Sequence, residues 1–164
     1  MRGVAVLHPN VDLVVSALRA AGADPVRVSR MTIFQTPVKT AAAAAEALGV
    51  EVGQIANSLV FDADGMPLLV LTSGAHRVDT GKVAALVGAG RVRRASPDFV
   101  RTATGQVIGG VAPVGHPTSL RTLVDRALEQ YDEVWAAGGV PHAVFPSTFA
   151  ELLTVTGGDP ADVA

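Results

Sequence analysis

Between Gly105 and Gly115 the chain reads Gly-Gln-Val-Ile-Gly-Gly-Val-Ala-Pro-Val-Gly, a segment built to bring main-chain groups up to a ligand. Gly109 and Gly110 can take backbone angles closed to other residues and leave no side chain in the way. Pro113 fixes the exit of the bend and removes one amide donor. Such a bend reads as a pocket wall; a surface turn with flexible glycines would use the same residues. His142, after Gly138-Gly139-Val-Pro141, is the ionisable residue with most context, and its neutral imidazole could orient a water or bond a substrate. The competing reading is a partly buried histidine satisfied by a backbone carbonyl. His116, just past the bend, reads as exposed, and His8 and His76 carry no supporting context. Ser58 and Thr72 offer hydroxyls for a substrate or for the backbone.

Other chemistries are absent from the pattern. The chain has no cysteine, so disulfides, thiolate metal sites and a cysteine nucleophile are ruled out together. No Gly-x-Ser-x-Gly elbow, metal-ligand spacing or phosphate-binding glycine loop occurs, and neither a metal nor a nucleotide cofactor is expected. A net charge of −2 argues against a general nucleic-acid coat protein, and DNA is not an expected partner. It leaves room for a protein that grips only the end of one nucleic acid. Arg91, Arg93, Arg94 and Arg101 gather in one stretch, as a phosphate-contacting patch or as a solvated face.

The 164 residues suffice for one domain spanning 1–164, and 49% hydrophobic content excludes wholesale disorder. With 4% aromatics the core must be built from small side chains. No long apolar run spans a membrane and the first residues lack a secretory leader pattern, so a cytoplasmic protein is expected.

The elements follow from periodicity and punctuation. Asn10 can cap a helix from Val11 to about Ala21, stopped by Gly22. Val26 to Arg30 alternates as a strand would. Thr36 or Thr40 can open a helix through the alanine block to Leu48, ended by Gly49. Gln54–Phe61 and Pro67–Thr72 flank Asp62-Ala-Asp-Gly65 as a central hairpin. A helix follows over Asp79–Val87, a strand over Val92–Ala95 and a short helix from Ser96-Pro97 to Gly105. Val107–Val111 and Leu120–Val124 read as strands around the glycine bend, and Arg126–Gln130 as a helical turn. Val134–Ala137 and Ala143–Phe145 form a last strand pair, Ser147 caps a helix over Phe149–Leu153, and Gly157–Ala164 reads as a frayed tail. The fold class is α/β (α+β), a mixed sheet curled towards a barrel and surrounded by helices.

Several landmarks then fall into one order: Thr40-Ala-Ala-Ala-Ala-Ala-Glu-Ala-Leu-Gly-Val50, Ile55-Ala-Asn-Ser-Leu-Val-Phe61, Leu68-Leu-Val-Leu71, Arg77-Val-Asp-Thr-Gly-Lys82, Thr104-Gly105, Gly109-Gly-Val-Ala-Pro113, Leu123-Val-Asp125 and Gly138-Gly139. From about Val11 to Gly157 the chain resembles the YbaK/EbsC family of aminoacyl-tRNA deacylases, relatives of the editing insertion domain of bacterial prolyl-tRNA synthetase. The resemblance implies a YbaK-like fold, an aminoacyl-tRNA acceptor end as partner, a synthetase as a further candidate partner, and hydrolysis of tRNA mischarged with a small amino acid. It implies that Gly109, Gly110, Val111 and Pro113 line the aminoacyl pocket. It also places Asp125 near that pocket, where capping the following residues is the other reading.

The sequence departs from the family at one position. A lysine usual on the strand after the second helix is replaced here by Asn57, a neutral donor and acceptor that can bond a carbonyl or a ribose hydroxyl but cannot neutralise phosphate. Either specificity changes, or activity falls, or the charge comes from elsewhere, with Arg77 and Lys82 as candidates. An aminoacyl ester is already activated, so a positioned water and main-chain amides for the developing oxyanion suffice. The expected roles are catalytic for Asn57, Gly110 and His142; substrate-binding for Ser58, Gly109, Val111, Pro113, Asp125 and Gly139; and tRNA-binding for Arg77, Lys82, Arg93 and Arg94. A valine at position 110 is expected to fill the pocket and spare the fold. The rival reading is a module that binds aminoacyl-tRNA or a synthetase without cleaving the ester, which Asn57 favours. A hydrolase for another small acyl ester is a third.

Overall fold

A computed structural model describes residues 8–164. Val11, Val14 and Leu18 recur at helical spacing and form the buried stripe of α1 (Pro9–Ala20). The cap is His8, whose Nδ1 accepts from Asn10 N at 3.1 Å. Asn10 is not the cap: its side-chain amide donates to the Gly105 and Gly139 carbonyls, at 3.3 Å each. Val26–Arg30 is no strand either. Asp24 caps α2 (Pro25–Ser29) by accepting from Val26 N, with Pro25 in the first turn. Over five residues, apolar positions two apart fit one helical turn as well as a strand, and the Asp-Pro start decides.

Thr40 caps α3 (Ala41–Leu48), and Gly49 ends it in the left-handed region at φ 69°. β1 (Thr32–Ile33) lies before it in sequence. β2 (Ile55–Ala63) and β3 (Met66–Ser73) form the expected hairpin. Asp64 and Gly65, at φ 51° and 88°, make its two-residue turn. Next come α4 (Thr80–Val87), β4 (Val92–Arg94) and α5 (Pro97–Thr104), capped by Asp79 and Ser96 at the two helices. The segment 107–111, expected as a strand, is an irregular loop. β5 (Arg121–Asp125), β6 (Val134–Ala137), β7 (Ala143–Ser147), α6 (Phe149–Thr156) and β8 (Asp159–Ala161) complete the chain. Residues Arg126–Gln130 form a 3-10 turn, and Thr148, rather than Ser147, caps α6.

Among the described residues eight strands form one mixed sheet, ordered β1-β7-β6-β2-β3-β5-β8 with β4 also on β2. It curls but does not close, since β1 and β8 are its edges among the described residues. Both faces are covered, which β3 shows directly. Leu69 and Leu71 join a core with Val14, Leu18, Phe145 and Leu152, whereas Leu68 and Val70 join one with Val83 and Val163. A strand buried on both faces reads as a continuous apolar run, as Leu68–Leu71 does. The expected frayed tail is instead β8, parallel to β5. Val163 is fully buried, and its carbonyl accepts from Asp79 N at 2.8 Å. β5 leaves one edge open, and the alternating Ala161 and Val163 can fill it with apolar side chains turned inward.

Candidate functional site

The site begins with a change of partner along β2. Its first residues pair with β6 in parallel, Ile55 with Trp135 and Ala56 with Ala136. Its last residues pair with β4 antiparallel, Phe61 with Arg94 through Ala63 with Val92. Between them, residues 57–60 have no strand on that edge among the described residues. A cleft of about 600 Å³ opens there, lined by Asn57, Ser58, Leu59, Val60 and Phe61 on one side and by Ile108, Gly109 and Val111 of the glycine loop on the other.

A narrower recess of about 40 Å³ continues inward past Asn57, Ser58, Gly109 and Val111. Its walls are small and apolar: Ala41 and Ala44 from α3, Ala56, Ala136, Ala137, Ala143 and Val144 from the sheet, and Trp135. Trp135 is held from outside by Arg30, whose guanidinium lies 5.5 Å from the ring centroid and pairs with Glu133 at 2.7 Å. The outer cleft is polar and cationic, with Lys39, Thr72, His76, Arg77 and Arg94 on its walls. At the junction Ser58 Oγ is cut off from solvent and has no hydrogen-bond partner among the described residues. A buried hydroxyl left unpaired costs about 1–3 kcal/mol, which a ligand acceptor or donor would recover.

The glycine loop is tied down from within. Buried Gln106 accepts from Ala112 N through Oε1 at 2.7 Å, and its own N–H donates to Thr104 Oγ1 at 3.0 Å. Gly109 sits at φ 90°, and a side chain there would meet Lys39. Gly110 packs on the β6–β7 turn, where a Cβ would lie 2.6 Å from Val140 C and 2.7 Å from Pro141 N. Its amide is already donated to Val107 O at 2.9 Å. The Gly110 amide is therefore not free for a ligand, whereas Gly109 and Val111 line the cleft and their amides make no hydrogen bond among the described residues. A valine at 110 would drive into backbone, not into the pocket.

Of the remaining sequence candidates, Asn57, Ser58, Gly109 and Val111 come together at the mouth of the recess. Arg77 and Arg94 join them on the outer cleft. His142 does not, although its neighbours Pro141 and Ala143 line the recess: its carbonyl accepts from Phe34 N at 2.7 Å, and its ring belongs to neither wall. Pro113 lies on the far side of the loop, against a separate cavity of about 210 Å³ with His116 and Thr122. His116 is half-buried rather than exposed. Its Nε2 donates to Ala112 O at 2.8 Å, and burial pushes its pKa below the ordinary histidine value despite that bond. Gly139, at φ 106°, packs against Asn10 of α1. Lys82 Nζ donates to Ala164 O at 2.9 Å, and Arg93 pairs with Asp62 at 3.4 Å, both away from the cleft.

Asp125 is buried behind the cleft wall, where its carboxylate accepts from Ser73 N at 2.9 Å and Ala127 N at 3.0 Å. It also accepts from Thr72 Oγ1 at 3.3 Å and meets His76 Nδ1 at 2.8 Å. Asp125 caps the turn that follows it, and it lines neither the cleft nor the recess itself but contacts His76 and Thr72, which do line the cleft. Sequence reasoning set His76 aside because 49 residues separate it from its partner. It also passed over Lys39, whose only local signal is its place just before the cap of α3.

A partner switch in a curled mixed sheet thus opens a small apolar recess onto a cationic cleft. The chain belongs to the aminoacyl-tRNA editing domain family, whose model matches residues 35–155. It is 32% identical over 127 residues to the "uncharacterized protein YwhH" of Bacillus subtilis (strain 168), covering 77% of this chain and 80% of that one. It is 31% identical over 134 residues to the proline–tRNA ligase of Bacillus licheniformis, covering 76% of this chain but 23% of the ligase. The structure superposes with a TM-score of 0.87 on a crystal structure described as a "putative trans-editing enzyme for prolyl tRNA synthetase", at 44% identity, covering 96% of this chain and 98% of that one.

Proposed function

We propose that this protein is a trans-editing hydrolase that deacylates tRNA mischarged with a small amino acid. The observation that carries the reading is the joining of two unlike spaces: an alanine-walled recess and a cleft edged by Lys39, Arg77 and Arg94. A short apolar side chain fits the first, and the phosphates and ribose of an acceptor end fit the second. Exposed Ile108 at the rim offers apolar surface for the terminal base. With the ester at the junction, the free amides of Gly109 and Val111 face its carbonyl, and Asn57 and Ser58 bond the carbonyl, the amine or a ribose hydroxyl. Lys39 supplies a cation on the cleft where Asn57 supplies none. DNA and membranes are not partners in this reading, and the site of action is the cytoplasm. A prolyl-tRNA synthetase is a candidate partner.

The test is deacylation of a panel of purified mischarged tRNAs. Turnover of the small aminoacyl groups with sparing of bulky ones is expected; no turnover above buffer with any of them rejects the hydrolase. Asn57 keeps one alternative in view, a module that binds aminoacyl-tRNA and leaves the ester intact. Tight binding of an aminoacyl-adenosine ester analogue without hydrolysis of the ester would establish it.

A further inference from the structure

We infer that His76, oriented by Asp125, is the base that activates the attacking water in this cleft; the inference rests on the deacylase reading above. Asp125 is 1% exposed, sits on β5 and points its carboxylate at the end of β3. A carboxylate only accepts, so Nδ1 of His76 must carry the proton across the 2.8 Å contact. That leaves the lone pair on Nε2, which has no hydrogen-bond partner among the described residues. The side chain of His76 is 40% exposed and lines the cleft. The arrangement is therefore one of fixed tautomer, fixed ring and free nitrogen, in which a buried acid positions an imidazole for proton transfer.

The surroundings agree with that use. Thr72, which shares the Asp125 oxygen with His76, is the register partner of Asn57 across the hairpin. The dyad thus stands one strand from the residues at the mouth of the recess. Asp125 has Ser73 N and Ala127 N as further donors, so it does not need His76 for its own satisfaction. Asp125 from β5 contacts His76, and the other charged groups that share the cleft lining with it are neighbouring Arg77, Arg94 from β4 and Lys39 from the segment before α3.

In the step, water oxygen attacks the ester carbonyl carbon while Nε2 takes one of its protons. The tetrahedral adduct collapses by breaking the bond from the carbonyl carbon to the ribose oxygen. That oxygen receives the proton back from Nε2, giving free amino acid and tRNA with its terminal hydroxyl restored. No net charge or electron is gained by the protein. Asp125 is a positioning residue and takes no proton.

The experiment measures single-turnover deacylation of a mischarged tRNA that the wild type hydrolyses, as a function of pH, for wild type, His76→Ala, His76→Gln and Asp125→Asn. Binding of a non-hydrolysable aminoacyl-adenosine amide is measured alongside. Both His76 variants are expected to lose about 100-fold or more in rate and the fall in rate on acidification, and to bind the amide within about threefold of wild type. Added imidazole is expected to restore part of the His76→Ala rate. Asp125→Asn is expected to slow turnover and alter the pH profile; because Asp125 is buried, the exposed His76 variants decide the matter if Asp125→Asn fails to fold. Wild-type rates in the His76 variants, or a loss of amide binding that matches the loss of rate, would overturn the inference while leaving the deacylase standing. A wild type inactive on every mischarged tRNA would remove both, and so separates the two failures.

Discussion

The Cα of Gly110 faces the backbone of Val140 so closely that a methyl group on it would sit 2.6 Å from the Val140 carbonyl carbon. This contact seats the glycine loop on the β6–β7 turn, and that turn in turn accepts from Val38 and Phe34 through the carbonyls of Pro141 and His142. The loop, the turn and the segment leading to Lys39 are therefore one mechanical unit.

Gly110→Ala is expected to destabilise the protein by about 1–3 kcal/mol, since backbone on the other side cannot rotate away. Gly109→Ala meets only ordinary contacts near 3.6 Å, so its cost is the left-handed backbone, about 1–2 kcal/mol. Thermal melts compare the two. A Gly110→Ala variant as stable as wild type would show that the loop is not seated as described.

Ala137 is a half-buried wall of the recess. Ala137→Leu fills space there and should lower turnover of the larger accepted aminoacyl groups about 10-fold or more relative to the smallest. Deacylation rates across a graded series of aminoacyl groups check it; a uniform loss across the series would locate side-chain discrimination outside the recess.

Arg77 and Arg94 line the cleft, whereas Arg93 is turned to Asp62. Arg94→Gln and Arg77→Gln should weaken tRNA binding and reduce the slope of log affinity against log salt by about 0.7–1 for each phosphate no longer neutralised. Arg93→Gln should leave both nearly unchanged. Filter binding at several salt concentrations distinguishes them, and equal effects from all three would mean the tRNA path does not follow the cleft.

Burial lowers the pKa of His116, so the unfolded chain takes up this proton before the folded one does. Stability is unaffected by this group well above pH of about 6.5, falls as pH drops through about 6.5 towards the depressed folded value, and stops falling below it. His116→Gln keeps a donor for Ala112 O and should flatten that part of the profile. Chemical denaturation across the acid range measures it; an unchanged slope in the variant would assign the pH dependence elsewhere.

Where local chemistry dominates, the sequence is legible. Thr40, Asp79 and Ser96 cap their helices, Asp64-Gly65 turns the central hairpin and the apolar run Leu68–Leu71 is a strand covered on both faces. Where a segment is too short for periodicity, it is not: Val26–Val28 alternates yet is helical, because Asp24 and Pro25 open a single turn. Val107–Val111 is apolar yet irregular, because Gln106 and the β6–β7 turn supply its contacts from within and below. The tail becomes β8 only because β5 leaves an edge for it.

The same division runs through the site. Residue type alone marked the glycine bend and the hydroxyl of Ser58, since backbone freedom and hydrogen-bonding capacity are properties of the residues themselves, whereas Asn57 stood out only against the family's usual lysine. Which of those groups face a common space was decided by the partner switch along β2, a long-range event that no local pattern encodes. That switch left His142 and Pro113 off the cleft and placed Lys39 on it, while the parallel pairing of β5 with β3 brought Asp125 to His76 in the loop after β3. Distance along a chain carries no record of distance across a sheet, and that physical fact set the limit of what could be read.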